Sequence, residues 1–512
     1  MQKLRSIFLL LLLSSIVFAF GQDAKDIPIG TWRGHLSYSK AVSVTAGNGI
    51  VYCASSSALF TYNISDGSID RLNLVNGLSD IGIEKIKFNS SSQKLIVAYT
   101  NGNIDLVDVN TNSITNIPFI KESNIIADKT IHNINISGSL AYLSTGFGIV
   151  VLDCNADEIV ETYIIGDTSS YLNVHSVTFD ADSIYAATDV GVYKASKTAS
   201  NLADYNYWSV ISELGIRKFT TITFFNDQLF VGFDSPTWAT DTIFKRNTGV
   251  WDVFLSGINI ETTLETNSHL GVIEGTNVFL YDQNLNQTKH VYTYKSQFYL
   301  SPKETIFDGS YLWIADNNYG LMKMKDNWNG EIIVPNGPKS ESAFYMDIID
   351  GKLCLVSGGY GVFINTYPFN VWKNNTWDEN VPQNVNNSHN SYKARDFVTV
   401  AIDPSNPEHM YFGAWDDGLI EFVGNSKVAQ YRAQTTPLDS TFFGTTRVSA
   451  LKFDKGNNLW TVSSYSNEIL SVKAASGEWY SFGFSGLTTT ASYYSNMVID
   501  DNNYKWIIDN LK

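Results

Sequence analysis

A segment of about 45 residues recurs along the chain, and it constrains the fold more than any other feature. Apolar runs begin at Val51 (VYCAS), Leu95 (LIVAY), Leu140 (LAYLS), Ile184 (IYAAT), Leu229 (LFVGF), Val278 (VFLYD), Leu312 (LWIAD), Leu353 (LCLVS), Met410 (MYFGA), Leu459 (LWTVS) and Lys505 (KWIID). The first four steps between them are 44, 45, 44 and 45 residues, and the later ones are 49, 34, 41, 57, 49 and 46. Each unit opens with a short alternating strand such as VSALKF (448–453), followed by a turn rich in Asp, Asn and Gly, then the apolar strand. A third strand follows, as in GIVVLD (148–153) or GLIEFV (418–423), and a fourth closes the unit, as in GEWYSF (477–482). Strands of four to seven residues joined by tight turns, with no helical period of comparable length, form a four-stranded antiparallel sheet. Such a sheet has two greasy faces and buries them by stacking on copies of itself around an axis, which is a β-propeller.

The expected fold class is therefore all-β, with two tandem propellers of four-stranded blades. Eleven units exceed the usual limit of eight blades in one ring, so two rings are required. The break is expected in VPNGPKSES (334–342), giving residues 22–336 as a seven-bladed first propeller and 337–512 as a second. About four blades remain for the second ring. An incomplete ring exposes ladder groups, so the natural sequence is expected to continue beyond residue 512 with further blades. Repeated tryptophans such as Trp313 and Trp460 are expected to pack between blades.

Lys3 and Arg5 precede the apolar stretch IFLLLLLSSIVFAF, and Ala19 and Gly21 follow it, so residues 1–21 read as a secretory signal peptide. The run is short for a bilayer span and no later segment is longer. This predicts an exported protein at the cell surface or outer membrane, with the periplasm or medium as the alternatives. The formal charge is −16 and the pI about 4.8, which argues against nucleic-acid binding. The three cysteines, Cys53, Cys154 and Cys354, lie far apart in apolar strands and read as buried free thiols rather than a disulfide framework.

No motif carries a reaction. The seven histidines (35, 132, 175, 269, 290, 389 and 409) show no metal-ligand spacing, and neither a nucleophile elbow nor a phosphate loop is present. DGSYLW, DKGNNLW and DDNNYKW lack EF-hand spacing and read as strand turns. Hence no catalytic residue, metal or cofactor is expected. Binding residues are sought in the loops between second and third strands: Trp238 in DSPTW, Asp316 and Asn317 in DNNY, Tyr360 in GGY, and Trp415, Asp416 and Asp417 in WDD. The Asn-rich insert between Gly361 and Asp396, with Trp372 and Trp377, is a further loop of interest.

GTWRGHLSYSKAVSV (30–44), VNGLSDIGIEKI (75–86), AYLSTGFGIVVLD (141–153) and DSIYAATDVGVYKAS (182–196) together resemble the PorZ family of the bacterial type IX secretion system. GNNLWTVSS and YLWIADNNYGL resemble the two-component-regulator propeller repeat. The first resemblance implies two seven-bladed propellers and a C-terminal β-sandwich. It implies a non-enzymatic surface adaptor working with PorU-, PorV- and PorQ-like proteins of the sortase complex and with anionic lipopolysaccharide. Two other readings are the extracellular sensor region of a hybrid two-component system and a secreted polysaccharide-degrading enzyme.

Overall fold

The computed structural model describes residues 30, 32–296, 298–361, 367–381, 396–484 and 492–510. The expected signal peptide, His389 and most of the insert after Gly361 lie outside the described residues. Two compact units are present: Leu36–Lys339, and Ser340–Lys512 together with the residues up to His35. The boundary expected after residue 336 falls at 339, and residues 32–35, part of the stretch assigned to the first propeller from sequence, group with the second unit. The contacts that hold them there are local. The Trp377 indole donates to His35 Nδ1 at 3.1 Å, and Arg33 Nη2 donates to the Asn375 carbonyl at 3.4 Å.

The first unit is a ring of seven four-stranded antiparallel blades, each built from consecutive strands. The first strand of every blade lies innermost: Ala41–Gly47, Ile83–Asn89, Ile131–Ser137, Val174–Phe179, Phe219–Phe225, Ile260–Thr266 and Pro302–Phe307. VSALKF, GIVVLD and GLIEFV are each a strand with the bounds read from sequence. The apparent irregularity in the middle of the repeat was a misplaced strand. Val278 lies on the third strand of blade 6, and the second strand is His269–Glu274. With Leu270 in place of Val278, the steps from Leu229 to Leu270 and on to Leu312 become 41 and 42 residues. The blade was hard to see because Glu265, paired with Leu270, stands where Phe88, Phe179, Phe224 and Phe307 stand in other blades.

The core is divided among the blade junctions. Ile86, Leu95 and Val97 pack on Tyr52 and Leu59 between blades 1 and 2, and Leu312, Ile314 and Met322 pack on Val278 and Leu280 between blades 6 and 7. The ring is sealed where Trp313, Ala315 and Leu321 of blade 7 meet Ala41, Val51 and Phe60 of blade 1. Trp313 is fully buried there. Nearer the axis, adjacent blades do not share a hydrogen-bonded ladder, so side chains satisfy backbone groups across the gaps. Ser43 Oγ accepts from Ile86 N at 3.1 Å, Thr178 Oγ1 from Phe224 N at 3.0 Å, Thr221 Oγ1 from Thr263 N at 3.0 Å and Thr266 Oγ1 from Phe307 N at 2.6 Å. At the seam no strand is exchanged, and Glu304 Oε2 accepts from Val44 N at 3.2 Å and from the Ser43 hydroxyl.

The second unit has three four-stranded blades followed by the two-stranded sheet Tyr494–Ile499/Lys505–Asp509. Its junctions are built in the same way, with Phe369, Phe397, Phe412 and Phe422 buried between its first two blades. The outward faces at its two ends carry exposed Met346 and Ile348, and Val498, Trp506 and Ile508. Among the described residues no helix is long and apolar enough to cross a membrane. Cys53, Cys154 and Cys354 are free and buried, and burial pushes the Cys154 thiol up to about 11.

The recurring Asp–Trp motif is a turn clamp. Asp308 Oδ1 accepts from the Ser310 and Tyr311 amides at 2.8 and 2.7 Å, while Oδ2 takes the Trp313 indole N–H at 2.7 Å. Asp454 and Trp460 repeat this at 2.8 Å, and Asp500 and Trp506 at 3.0 Å. The Asp308 carboxyl is held below the usual carboxylate range: partial burial works to raise it, but the Tyr311 amide, the Trp313 indole and the Ser310 amide outweigh burial. Its stabilising contribution is thus complete above the unfolded value near 4 and is lost as pH falls through the lower folded value. Asp308→Asn is expected to cost ~1 kcal/mol at neutral pH, because an amide NH2 then meets the indole N–H. It should also flatten the loss of stability below about pH 4. Urea unfolding at several pH values measures both effects, and an unchanged acid limb counts against the clamp.

Candidate functional site

Each inner strand of the first propeller carries a β-bulge at its second residue. In blade 1 Ala41 pairs with Ser55 and Ser43 with Ala54, leaving Val42 unpaired. The same slip isolates Glu84, His132, His175, Thr220, Glu261 and Lys303. A bulge re-aims its extra side chain. Here the seven re-aimed residues, joined by Lys85, Asn133 and Thr262, line one cavity of about 380 Å³ at a mouth of the central channel. Deeper in the channel a polar space of about 640 Å³ is lined by Asn135, Thr178, Thr223, Glu265 and Glu304 among others.

The ring is chemically uneven. Lys303 pairs with Glu261 at 2.5 Å, and Lys85 lies 3.8 Å from Glu304. Glu84 makes no hydrogen bond or ion pair among the described residues. The His132 and His175 rings are 5.5 Å apart. His175 Nε2 contacts Asp189 Oδ1 at 2.7 Å, and His132 Nε2 lies 3.7 Å from Asp128 Oδ2. Burial first, and then the neighbouring His175, push the His132 pKa below the ordinary imidazole value. No local pattern in the sequence marks these residues, because neighbouring chain positions show nothing unusual. Their signal is the register: successive ring positions are 42, 48, 43, 45, 41 and 42 residues apart.

The loop residues chosen from sequence fall on both units and do not form one site. Trp238, Asp316 and Asn317 belong to the first propeller, and Tyr360, Trp415, Asp416 and Asp417 to the second unit. Trp238 is 83% exposed on the loop after strand Gln228–Phe233. Asp316 is buried, and its carboxylate accepts from the amides of Ser301, Asn318 and Tyr319 at 2.6, 2.8 and 3.0 Å. Asp316 therefore organises its turn rather than face a ligand. The Asn317 amide donates to the Ser301 carbonyl at 2.9 Å and belongs to the same turn.

In the second unit the chosen residues do converge. The Tyr360 ring lies 4.6 Å from Trp415 and 5.7 Å from Tyr493, and Tyr465 lies 6.0 Å from Trp415. The Arg447 guanidinium sits 5.0 Å from the Trp415 ring and 5.1 Å from that of Tyr465, and its Nε donates to Asp416 Oδ1 at 3.0 Å. The cluster thus fills its cation–π position with its own arginine. Beside it a pocket of about 600 Å³ is lined by Asp416, Asp417, Arg432, Gln430 and Thr446 among others. Asp417 is buried and binds Arg432 Nη2 at 2.7 Å. A further acid–base group, His409 with Glu421 Oε1 at 2.5 Å and Tyr411 OH with the same oxygen at 3.1 Å, is an internally satisfied network. Among the described residues no three His, Cys, Asp or Glu side chains are placed to hold a metal ion.

Radial blades around a polar channel, with re-aimed side chains at one mouth, define a β-propeller protein. Residues 51–209 match the family described as the N-terminal β-propeller domain of PorZ of the type IX secretion system. The fold resembles that of PorZ from Porphyromonas gingivalis, described as an essential bacterial surface component of that system. The TM-score is 0.78 at 21% identity, covering 93% of this chain and 63% of that one. The family match is confined to residues 51–209, and the likeness to the solved structure extends the shared propeller fold over most of the chain. The extracellular domain of a protein from B. thetaiotaomicron, described as a hybrid two-component system, gives a TM-score of 0.42 at 13% identity. That match covers 93% of this chain and 70% of the other. No curated protein matches the chain.

Proposed function

We propose that this protein is a non-enzymatic cell-surface adaptor of the type IX secretion machinery, exported and held at the outer membrane by partners. The observation that carries the reading is the match of residues 51–209 to the PorZ N-terminal propeller family. It is supported by the likeness in fold to PorZ over 93% of the chain. The rigid blade stack suits such a role, because it holds many loops on one scaffold without moving parts. The partners proposed are the PorU-, PorV- and PorQ-like sortase-complex proteins, with anionic lipopolysaccharide as the glycolipid. The proposed contact surface in the second unit is the accessible side of the cluster, Tyr360 and Asp416, held from beneath by the buried Trp415 and Asp417.

The test is purification of the full-length protein from its native outer membrane in mild detergent, with its companions identified by mass spectrometry. Sortase and barrel-protein partners, lost from Tyr360→Ala, are the expected result. A protein recovered alone, or free in the medium, overturns the reading.

A further inference from the structure

The ring of re-aimed side chains has a chemistry that the adaptor reading does not use. We propose that the channel mouth of the first propeller is a binding site for an alkylammonium group, with the Glu84 carboxylate as its counter-ion. Three observations carry this.

The cavity is built by one repeated backbone device. All seven blades use a bulge to turn a side chain into it, although buried residues just before the bulge, such as Ile83, Val174 and Phe219, already pack the junctions. A bulge costs ladder hydrogen bonds, and seven at one level place seven side chains around one small space.

Two carboxylates, Glu84 and Glu261, and two ammoniums, Lys85 and Lys303, line the cavity, and their pairing is uneven. Glu261 is taken by Lys303, and Lys85 lies against Glu304, while Glu84 has no partner among the described residues. Asp128 and Asp189 stand behind the two imidazoles. The mouth therefore holds one carboxylate that no cation of the described residues pairs.

The guest must bring its own hydrogen-bond donors. The described residues hold no three ligating side chains placed for a bare metal ion. Hydrogen-bond acceptors, however, are present. Thr220 and Asn133 supply side-chain oxygens beside the Glu84 carboxylate. An ammonium has three N–H donors and no acceptor, which matches this set. Val42 supplies the apolar side of the ring for a slim alkyl stem, and about 380 Å³ suits a side chain or a small amine.

The full chain is titrated with n-butylammonium and with Nα-acetyl-lysine amide, using Nα-acetyl-norleucine amide as the uncharged control. Binding is followed by calorimetry and by the imidazole NMR signals of His132 and His175. Both amines should bind and move those signals, and the norleucine control should not. Glu84→Gln should raise Kd at least ~10-fold, about 1.4 kcal/mol, with an unchanged unfolding midpoint. Equal affinities for the two amines would mark a free amine as the natural guest. Tighter binding of the lysine amide would mark a lysine side chain on a polypeptide. The proposal is overturned if neither amine binds, if Glu84→Gln binds equally well, if the norleucine control binds as tightly, or if the imidazole signals stay still.

Discussion

Replacing Trp313 by alanine is expected to destabilise the first propeller by about 3–5 kcal/mol, the cost of removing a fully buried tryptophan from a packed core. The position makes the effect large. Trp313 packs with Ala41, Val51, Cys53 and Phe60 at the junction that closes the ring, and its ring lies 5.6 Å from Tyr62. Its indole N–H is also committed to Asp308. The same motif serves as an internal control, because Trp506 makes the equivalent bond to Asp500 yet is 63% exposed. Trp506→Ala should therefore cost less than about 1 kcal/mol. Urea unfolding of the two variants measures both values. If Trp313→Ala were as mild as Trp506→Ala, tryptophan packing between blades would not be the source of the repeat.

Glu304→Ala is the second large expectation, about 2–3 kcal/mol, from loss of charged hydrogen bonds that leaves a partly buried amide unsatisfied. Trp313 seals the closing junction in its apolar layer, and Glu304 seals it beside the channel. Its carboxylate bonds the Val44 amide and the Ser43 hydroxyl and faces Lys85 of blade 2. Other junctions are bridged by hydroxyls or amides, such as Thr178 and Asn135, but this one relies on a carboxylate. The chain runs directly from each blade to the next except across this seam, so opening there should precede opening elsewhere. Native-state hydrogen exchange should show the Val44 amide and the inner strand of blade 1 losing protection first, while blades 3 to 5 keep theirs. Glu304→Gln retains an acceptor and should recover about half of the loss. Uniform loss of protection around the ring would show that the seam is no weaker than other junctions. Because the two residues share one junction, Trp313→Ala and Glu304→Ala should not add independently.

Type and number of elements were legible in the chain because blades repeat. Alternation marks strands, and Asp, Asn and Gly mark turns, so the 45-residue period led directly to stacked four-stranded sheets. Where one residue broke the pattern, the reading slipped. Glu265 replaced the expected phenylalanine, and the strand His269–Glu274 was passed over in favour of Asn277–Tyr281. The Asp–Trp turns were correctly seen as turns, although the indole bond that fixes them is a side-chain geometry that spacing alone does not specify.

The candidate sites were much less legible. Asp316 has the residue type of a ligand-binding acid, yet it is buried with its oxygens filled by backbone amides. Tyr360, Trp415 and Asp416 met because adjacent blades align equivalent loops, which the repeat does imply. The channel-mouth ring was invisible, since Glu84, His132, His175 and Lys303 are scattered along the chain and each is ordinary in its own strand. By itself, the sequence determined the blade, its turns and the number of units, because these depend on local periodicity and on the need to bury two faces. Only the tertiary structure decided which side chains face the axis. That outcome depends on a one-residue slip between the first and second strands of each blade, and it becomes a site only when the ring brings the slipped positions together.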